Sequence, residues 1–150
     1  MDEKDRQIIR ELQRDGRLSN QELAERVNLS PSPCLRRLRN LEKSGVIQGY
    51  TALIDQKAYG LPITVFIRIR LEHHSQETVR SFEEKISNID EILDCYLMTG
   101  GVDYLLRVVV ESLEAYEIFI RDKIHQVPFV ASIDTSFAYG IVKQARVFAA

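Results

Sequence analysis

The sequence predicts an α+β chain in which three helices precede a region of order β-α-β-β-α-β. Two observations predict this class. Near the start, two segments with helix-capping residues flank a tight turn; later, runs of alternating apolar residues are separated by segments of helical periodicity. A length of 150 residues allows one large domain or two small ones. We predict a helical domain over residues 1–48, a linker with a short strand over 49–61 and a sheet domain over 62–150.

The first fifty residues predict three helices that pack together. The first helix runs from Asp2 to Gln13, where apolar residues recur at helical spacing until Asp15-Gly16 ends the pattern. The second begins at Ser19, because Ser19 and Glu22 match the capping box in which each residue satisfies a backbone N–H of the other. A tight turn of two residues then leads into the third helix.

The third predicted helix has one apolar side and one polar side. Ser30 is expected to cap it, Pro31 suits its first position, and Gly45 ends it as a left-handed cap. At about 100° per residue, Cys34 and Leu38 lie opposite most of the basic residues. Four basic residues and one acidic residue give this helix a local charge of +3.

A capped helix pair whose second helix has a basic outer face is typical of a helix-turn-helix that enters the DNA major groove. Arginine can form paired hydrogen bonds with guanine, and serine and asparagine suit adenine or phosphate. We therefore predict double-stranded DNA as a partner, against the alternative of a solvated basic surface with no ligand. The residues predicted to contact DNA are Ser19, Asn20, Gln21, Ser30, Ser32, Pro33, Arg36, Arg37, Arg39 and Asn40.

Charge is divided unevenly along the chain. Residues 1–50 contain ten Lys/Arg and eight Asp/Glu, a net charge of +2, whereas residues 51–150 contain ten and fourteen, a net charge of −4. The acidic part is expected to face away from DNA phosphates. No apolar run reaches the ~18 residues of a membrane span, no signal peptide is visible, and Cys34 and Cys95 fit buried, reduced thiols, so we predict a cytoplasmic protein with no membrane partner.

The second half of the chain predicts a ferredoxin-like order, with an antiparallel sheet and both helices on one face. A hairpin is expected to join the second and third strands. The predicted strands are about Ile63–Leu71, Ile92–Thr99, Tyr104–Glu111 and Val130–Tyr139, the helices begin after Ser75 and Ser112, and the hairpin connection is Gly100–Asp103.

Two helices can cover only one face of this sheet, yet apolar residues occupy both sets of alternating strand positions. An uncovered apolar face predicts a partner, and the simplest partner is the same face of a second copy with two-fold symmetry. Two-fold symmetry is also what a helix-turn-helix protein needs to bind a palindromic site. The apolar residues are Leu97, Leu105 and Val109 on one set of positions and Tyr96, Met98, Leu106, Val108 and Val110 on the other.

Motifs spread over nearly the whole chain resemble the Lrp/AsnC family of bacterial and archaeal regulators. They occur at Asp5–Ile9 and Leu12–Arg17 in the first helix, at Leu29–Arg37 in the third and at Gly49–Leu53 in the linker. The segment Thr99–Arg107 matches the Gly-x-x-Asp loop of the family. The resemblance is closest to the leucine-responsive branch.

The resemblance implies a winged helix-turn-helix regulator that binds a small amino acid between subunits and assembles from homodimers into octamers or similar rings. Glycine lets backbone N–H groups approach a ligand carboxylate, and Asp103 can help to hold an α-ammonium group. The alternative is a plain hairpin turn in which glycine supplies a positive φ. The residues expected at the effector site are Met98, Thr99, Gly100, Gly101, Val102, Asp103, Tyr104, Thr135 and Ser136.

The second function class to consider is an enzyme. Catalysis needs a nucleophile with a base, or a set of metal ligands, and no such pattern is visible, so no catalytic residue, cofactor or metal is predicted. His73 and His74 are adjacent and expected to point to opposite faces, without a functional role. An architectural protein that wraps DNA with modest sequence preference stays the alternative to a sequence-specific regulator.

Overall fold

The computed structural model describes residues 1–145, 147 and 148, so the predicted end of the second domain at residue 150 lies outside the described residues. The chain forms two compact units: the first contains Met1–Leu53 and the described residues of the tail from Val142, and the second contains Ile54–Ile141. No helix in the described part is long and apolar enough to cross a membrane. The elements are α1 (Glu3–Arg14), α2 (Asn20–Arg26), α3 (Pro31–Lys43), β1 (Ile63–Leu71), α4 (Gln76–Ile86), β2 (Ile92–Leu97), β3 (Tyr104–Val110), α5 (Leu113–Asp122), a 3-10 turn (Ile124–Gln126) and β4 (Val130–Phe137).

The first unit is held together by a small apolar core among its three helices. Ile8 of α1, Leu23 of α2 and Cys34 and Leu41 of α3 are buried against one another. Burial of such side chains is the main favourable contribution to packing helices of this length, which are marginal when isolated. The core therefore places α2 and α3 as one helix-turn-helix against α1.

The helix ends follow the predicted signals with one exception. The reciprocal capping box of Ser19 and Glu22 is confirmed, and Gly45 has the positive φ of a left-handed cap, +76°. Ser30 occupies the cap position of α3, but its side chain makes no capping hydrogen bond. A capping side chain accepts from the second or third helical N–H, and the third helical residue here is Pro33, which has none.

The short strand predicted in the linker does not form. Residues 50–55 have no regular secondary structure and a turn covers residues 56–60. A strand needs a neighbour for its backbone N–H and C=O groups, and among the described residues none pairs with this segment. The β-branched residues of this segment therefore do not make a strand by themselves, and Tyr50, Leu53 and Ile54 are exposed.

The second unit is a four-stranded sheet of order β2-β3-β1-β4 in which every neighbouring pair is antiparallel. The predicted ferredoxin-like class is confirmed. Helices α4 and α5 cover one face, where Phe82 and Phe119 pack on Val65, Ile67 and Leu106. Three strands end one or two residues earlier than the apolar pattern predicts.

The face of the sheet away from α4 and α5, which we call the open face, is less apolar than predicted. Its register pairs Tyr96 with Leu105, whereas Leu97 pairs with Tyr104 and so lies on the other side from Leu105. The predicted groupings of Leu97 with Leu105 and Val109, and of Tyr96 with Leu106, Val108 and Val110, are therefore wrong. The reason is that strand alternation does not reveal the register across a hairpin. Two ion pairs also lie on this face, Arg107 with Asp94 and Arg68 with Asp134.

The two cysteines differ in exposure. Cys34 is buried, as predicted, and desolvation raises the pKa of its thiol. Cys95 is exposed, against the prediction, because β2 is an edge strand of the sheet. Partial desolvation of the thiol, with a smaller effect from the charge of Glu83, raises the pKa of Cys95 to about 11, so this thiol stays protonated at neutral pH.

Candidate functional site

The outer side of α3 is a surface of uncommitted polar side chains. Cys34 and Leu41 are buried and Leu38 is half-buried, which confirms the predicted inner side of this helix. On the opposite side lie exposed residues whose side chains make no hydrogen bond or ion pair with any described residue. These residues are Ser32, Arg36, Arg39, Asn40 and Lys43.

Arg37 differs from the neighbouring arginines because its guanidinium group is held inside the first unit. Its Nη1 atom lies 2.7 Å from Asp2 Oδ2 and 2.8 Å from Asp5 Oδ1. Hydrogen bonds to these two carboxylates raise the pKa of Arg37. The pKa of Asp2 is lowered, most by the hydrogen bond from the Asp5 backbone N–H and less by the hydrogen bond from Arg37. Arg37, predicted among the DNA-contacting residues, therefore joins α3 to the start of α1.

Two other residues predicted to contact DNA are also engaged within the first unit. The Ser19 hydroxyl accepts from the Glu22 N–H and donates to the Glu22 carboxylate. The Asn20 side-chain amide donates to the Pro31 carbonyl at 2.9 Å. Asn20 thus ties the beginning of α2 to the beginning of α3 and helps to set the geometry between the two helices.

The hairpin between β2 and β3 holds seven of the nine predicted effector residues, Met98–Tyr104, at one end of the sheet. The Met98 N–H donates to the Asp103 carbonyl at 2.8 Å, and the Asp103 N–H donates to the Ile69 carbonyl at 2.9 Å. Gly100 has a φ of +109°, which an L side chain rarely adopts. The glycine is therefore needed for the turn, and Gly101 and Val102 complete an exposed to half-buried loop.

Both oxygens of the Asp103 carboxylate are occupied. Oδ2 accepts from the Leu71 N–H at 2.7 Å, at the end of β1, and Oδ1 lies 2.7 Å from His74 Nε2. The hydrogen bond from the Leu71 N–H has the largest effect and lowers the pKa of Asp103, and the hydrogen bond with the His74 side chain lowers it further. Asp103 therefore fastens the hairpin to the end of β1 as well as placing a negative charge at the loop.

His74 is a residue of this site that the sequence analysis missed. It lies 29 residues before Asp103, just after β1, and neither its neighbours in sequence nor its alternation indicates the contact. The only available signal was topological, since β1 and β3 are adjacent in a ferredoxin-like sheet and antiparallel. The end of β1 therefore lies beside the start of β3.

The structure does not bring Thr135 and Ser136 to the hairpin. The register places Thr135 beside Ile67 and Ser136 beside Phe66, several residues from the end of β1. Their side chains also point to opposite faces: Thr135 is hydrogen-bonded to Tyr116 of α5, and Ser136 accepts from Arg68. The residue of the β4 end that lies near this corner is Phe129, whose ring packs edge-on against His73.

A cavity of about 370 Å³ lies between α4 and β2, and its wall reaches the base of the hairpin. Leu97 and Tyr104, which flank the loop, both contribute to it. The Tyr104 hydroxyl donates to Glu83 at 2.8 Å, and burial and this bond raise the pKa of Tyr104. The remaining lining residues are Ile86, Ser87, Ile92, Leu93, Asp94 and Cys95.

Family comparisons assign both units of the chain. Residues 1–48 match a winged helix-turn-helix DNA-binding family, and residues 64–148 match the Lrp/AsnC ligand binding domain. The chain is 38% identical to the transcriptional regulator AzlB of Bacillus subtilis (strain 168), over 96% of this chain and 92% of that protein. It is 39% identical to the leucine-responsive regulatory protein of Escherichia coli (strain K12), over 97% of this chain and 89% of that protein.

A solved structure has the same fold over almost its full length. The crystal structure of a transcriptional regulator from Neisseria meningitidis in complex with L-Met superimposes with a TM-score of 0.93, at 34% identity, and covers 99% of this chain and 96% of that one. These relatives are regulators rather than enzymes. With a DNA-binding helix-turn-helix, a ligand-binding sheet domain and this degree of identity, the chain belongs to the Lrp/AsnC family of transcriptional regulators.

Proposed function

We propose that this chain is a sequence-specific DNA-binding regulator whose affinity for DNA changes when a small amino acid binds at the Met98–Tyr104 hairpin. The observation that carries the DNA part is the outer side of α3, where basic and amide side chains are exposed and uncommitted. The arginine that is committed, Arg37, holds that helix against α1. A rigid helix with free Arg and Asn side chains is what major-groove recognition requires.

The proposed DNA contacts divide into two kinds. Arg36, Arg39 and Asn40 are placed to contact base edges, while Ser32 and Lys43 lie at the two ends of the same surface, where phosphates are the expected partners. Ser19 and Asn20 contribute by fixing the helix pair. Gln21, Ser30 and Pro33, which are exposed at the start of α2 and α3, stay predicted contacts.

The proposed effector is an amino acid with an apolar side chain. The Gly100 and Gly101 backbone suits a ligand carboxylate, and Asp103 supplies the negative charge for an α-ammonium group. The cavity beside the hairpin is lined in part by Ile86, Leu93 and Leu97, which suits an apolar side chain. One relative is named as leucine-responsive and another was crystallised with L-Met.

We further propose that the hairpin lies at a subunit interface of a homodimer. These homodimers assemble further, and the family resemblance implies an octamer. Effector binding then alters the arrangement of the subunits and the spacing of their α3 helices. Two such helices must lie about 34 Å apart to enter successive major grooves. The coupling must be reciprocal, so bound DNA changes the effector affinity by the same factor.

The deciding experiment screens the twenty amino acids by thermal shift on the full chain and repeats the DNA binding measurement with each stabilising one. A ligand of the native state raises stability in proportion to ln(1 + [L]/Kd). We expect at least one apolar amino acid to raise the melting temperature and to change affinity for a selected duplex. If no amino acid does either, the effector proposal fails.

Asp103→Asn is the variant that tests the site. The asparagine carbonyl can still accept from the Leu71 N–H, while the negative charge is lost, so we expect a folded protein without an amino-acid response. An architectural, DNA-wrapping function is the alternative. A regulator should bind its selected duplex about 10³-fold or more tightly than random DNA at the same salt concentration, and a ratio near one favours the architectural protein.

A further inference from the structure

We infer that His74 occupies the place of the ligand's α-ammonium group on Asp103, so that an amino acid must displace this imidazole in order to bind. The inference rests on the proposed function, since it takes an amino acid at the hairpin as given. It adds a residue that sets the affinity of that site.

The backbone holds one oxygen of the Asp103 carboxylate, and a side chain holds the other. Both backbone polar groups of Asp103 are bonded, the N–H to Ile69 and the carbonyl to Met98, so the residue is fixed to the sheet. Oδ2 is fixed too, by the backbone N–H of Leu71. Oδ1 is the remaining acceptor, and its partner is a side chain, His74 Nε2 at 2.7 Å.

His74 is the part of this pair that can move. Its side chain is 64% exposed, whereas that of Asp103 is 20% exposed. It lies in the irregular segment between β1 and α4, outside any ladder. The neighbouring His73 packs against Phe129 and the Glu72 N–H donates to the Phe129 carbonyl, so this segment stays anchored when His74 turns away.

The imidazole and the ligand's ammonium group compete for the same carboxylate oxygen. The ammonium group of a free amino acid carries a positive charge and three N–H donors, and hydrogen bonds between charged groups are the stronger ones. His74 offers Asp103 a single ring nitrogen. Removal of the imidazole should therefore tighten amino-acid binding.

Other charged groups surround the pair without replacing it. Arg70 acts on the Asp103 carboxylate through its charge. Glu72 and His73 precede His74 in the chain, and Glu77 lies in the first turn of α4. Among the described residues, only His74 and the Leu71 N–H bond directly to the Asp103 carboxylate.

The test compares the full chain with His74→Ala and with His73→Ala as the matched control. Binding of L-methionine and of L-leucine is measured by titration calorimetry. We expect His74→Ala to bind about two- to fivefold more tightly than the wild-type protein, the range of an exposed pair. His73→Ala should bind with the wild-type affinity.

A second readout follows the imidazole itself. Addition of L-methionine should shift the ring NMR signals of His74 and leave those of His73 nearly unchanged. Unchanged or weaker binding by His74→Ala overturns the inference while the effector proposal stands. If none of the twenty amino acids binds the wild-type protein, the effector proposal and this inference fall together.

Discussion

Arg36, Arg37 and Arg39 are close in sequence but differ in what their guanidinium groups contact. Arg37 is bonded to Asp2 and Asp5, whereas Arg36 and Arg39 are exposed on the outer side of α3. From this difference we expect substitution of Arg36 or Arg39 to affect DNA recognition and substitution of Arg37 to affect the position of the helix.

Replacing Arg36 or Arg39 by alanine should weaken binding to a selected duplex by about 1–3 kcal/mol and relax the preference at one base pair. The reason is the loss of paired hydrogen bonds to a base. Fluorescence anisotropy with the selected duplex and single-base variants measures both effects. Arg80→Ala, which removes an exposed arginine from α4 of the second unit, is the control and should change neither. Unchanged affinity and selectivity in both α3 variants would contradict the assignment.

Asp103 should contribute to stability in a pH-dependent way. Its pKa in the folded state lies below the ordinary 3.8, so its stabilising contribution is fully present above that value and is lost as the pH falls through the folded value. Asp103→Ala leaves the Leu71 N–H without this acceptor and should cost about 1 kcal/mol at pH 7. Urea unfolding at pH 7 and pH 3 checks this. Asp103→Asn should lose less stability than Asp103→Ala. An equal loss of stability by Asp103→Ala at both pH values would contradict the ionic contribution.

Individual residues show how far sequence reasoning reaches. The burial of Cys34 and the exposure of Arg36 follow from the helical period alone. The contacts of Arg37 with Asp2 and of His74 with Asp103 join residues 35 and 29 positions apart, and no local pattern contains that information. Such contacts depend on how elements pack, so the sequence indicated the surface of α3 better than the interior of the proposed effector site.

At the scale of elements, α2 and α3 begin with serines that act differently. Ser19 makes the reciprocal capping box, whereas Ser30 makes no side-chain capping bond. Ser19→Ala should therefore lower the free energy of unfolding by about 1 kcal/mol, and Ser30→Ala should change it by less than about 0.5 kcal/mol. Chemical denaturation of the two variants compares them directly. Equal decreases in the free energy of unfolding would contradict this difference between the Ser19 and Ser30 caps.

The hairpin offers a second matched pair. Gly100 has a φ of +109°, so Gly100→Ala forces an unfavourable backbone conformation and should cost about 1–3 kcal/mol. Gly101 does not lie in that region and has open space around its Cα, so Gly101→Ala should be close to neutral. Thermal unfolding of both variants measures the difference. A stable Gly100→Ala protein would mean that the turn can adopt another conformation.

Elements with strong periodicity were predictable and those without it were not. The nine residues of β1 alternate cleanly, and both bounds of that strand were predicted. In the linker, the residues near Tyr50 have strand-like composition, but a strand is defined by its neighbour, which composition does not supply. The predicted ends of β2 and β4 were too long because the apolar pattern continues into the connecting loops.

At the scale of the whole molecule, the open face is the proposed surface of self-association. Tyr96 is 52% exposed beside Leu105 on this face. We expect Tyr96→Glu to shift the full chain toward monomer in analytical ultracentrifugation at micromolar concentration, because a charge would be buried in the interface. Leu113→Glu, at an exposed apolar residue of α5, is the control and should keep the wild-type state. A Tyr96→Glu protein with unchanged sedimentation would assign assembly to another surface.

The strand order also has a consequence for how the chain folds. In the order β2-β3-β1-β4, the central strand β1 pairs with two strands that come later in the chain, and its contacts with β4 join residues as far apart as Val65 and Phe137. Neither half of the β-α-β-β-α-β region can therefore complete its own sheet. Contacts so distant in sequence slow folding, whereas the helical contacts of the first unit are local. During synthesis from the N-terminus, the helix-turn-helix can therefore form before the last strand of the sheet has been synthesised.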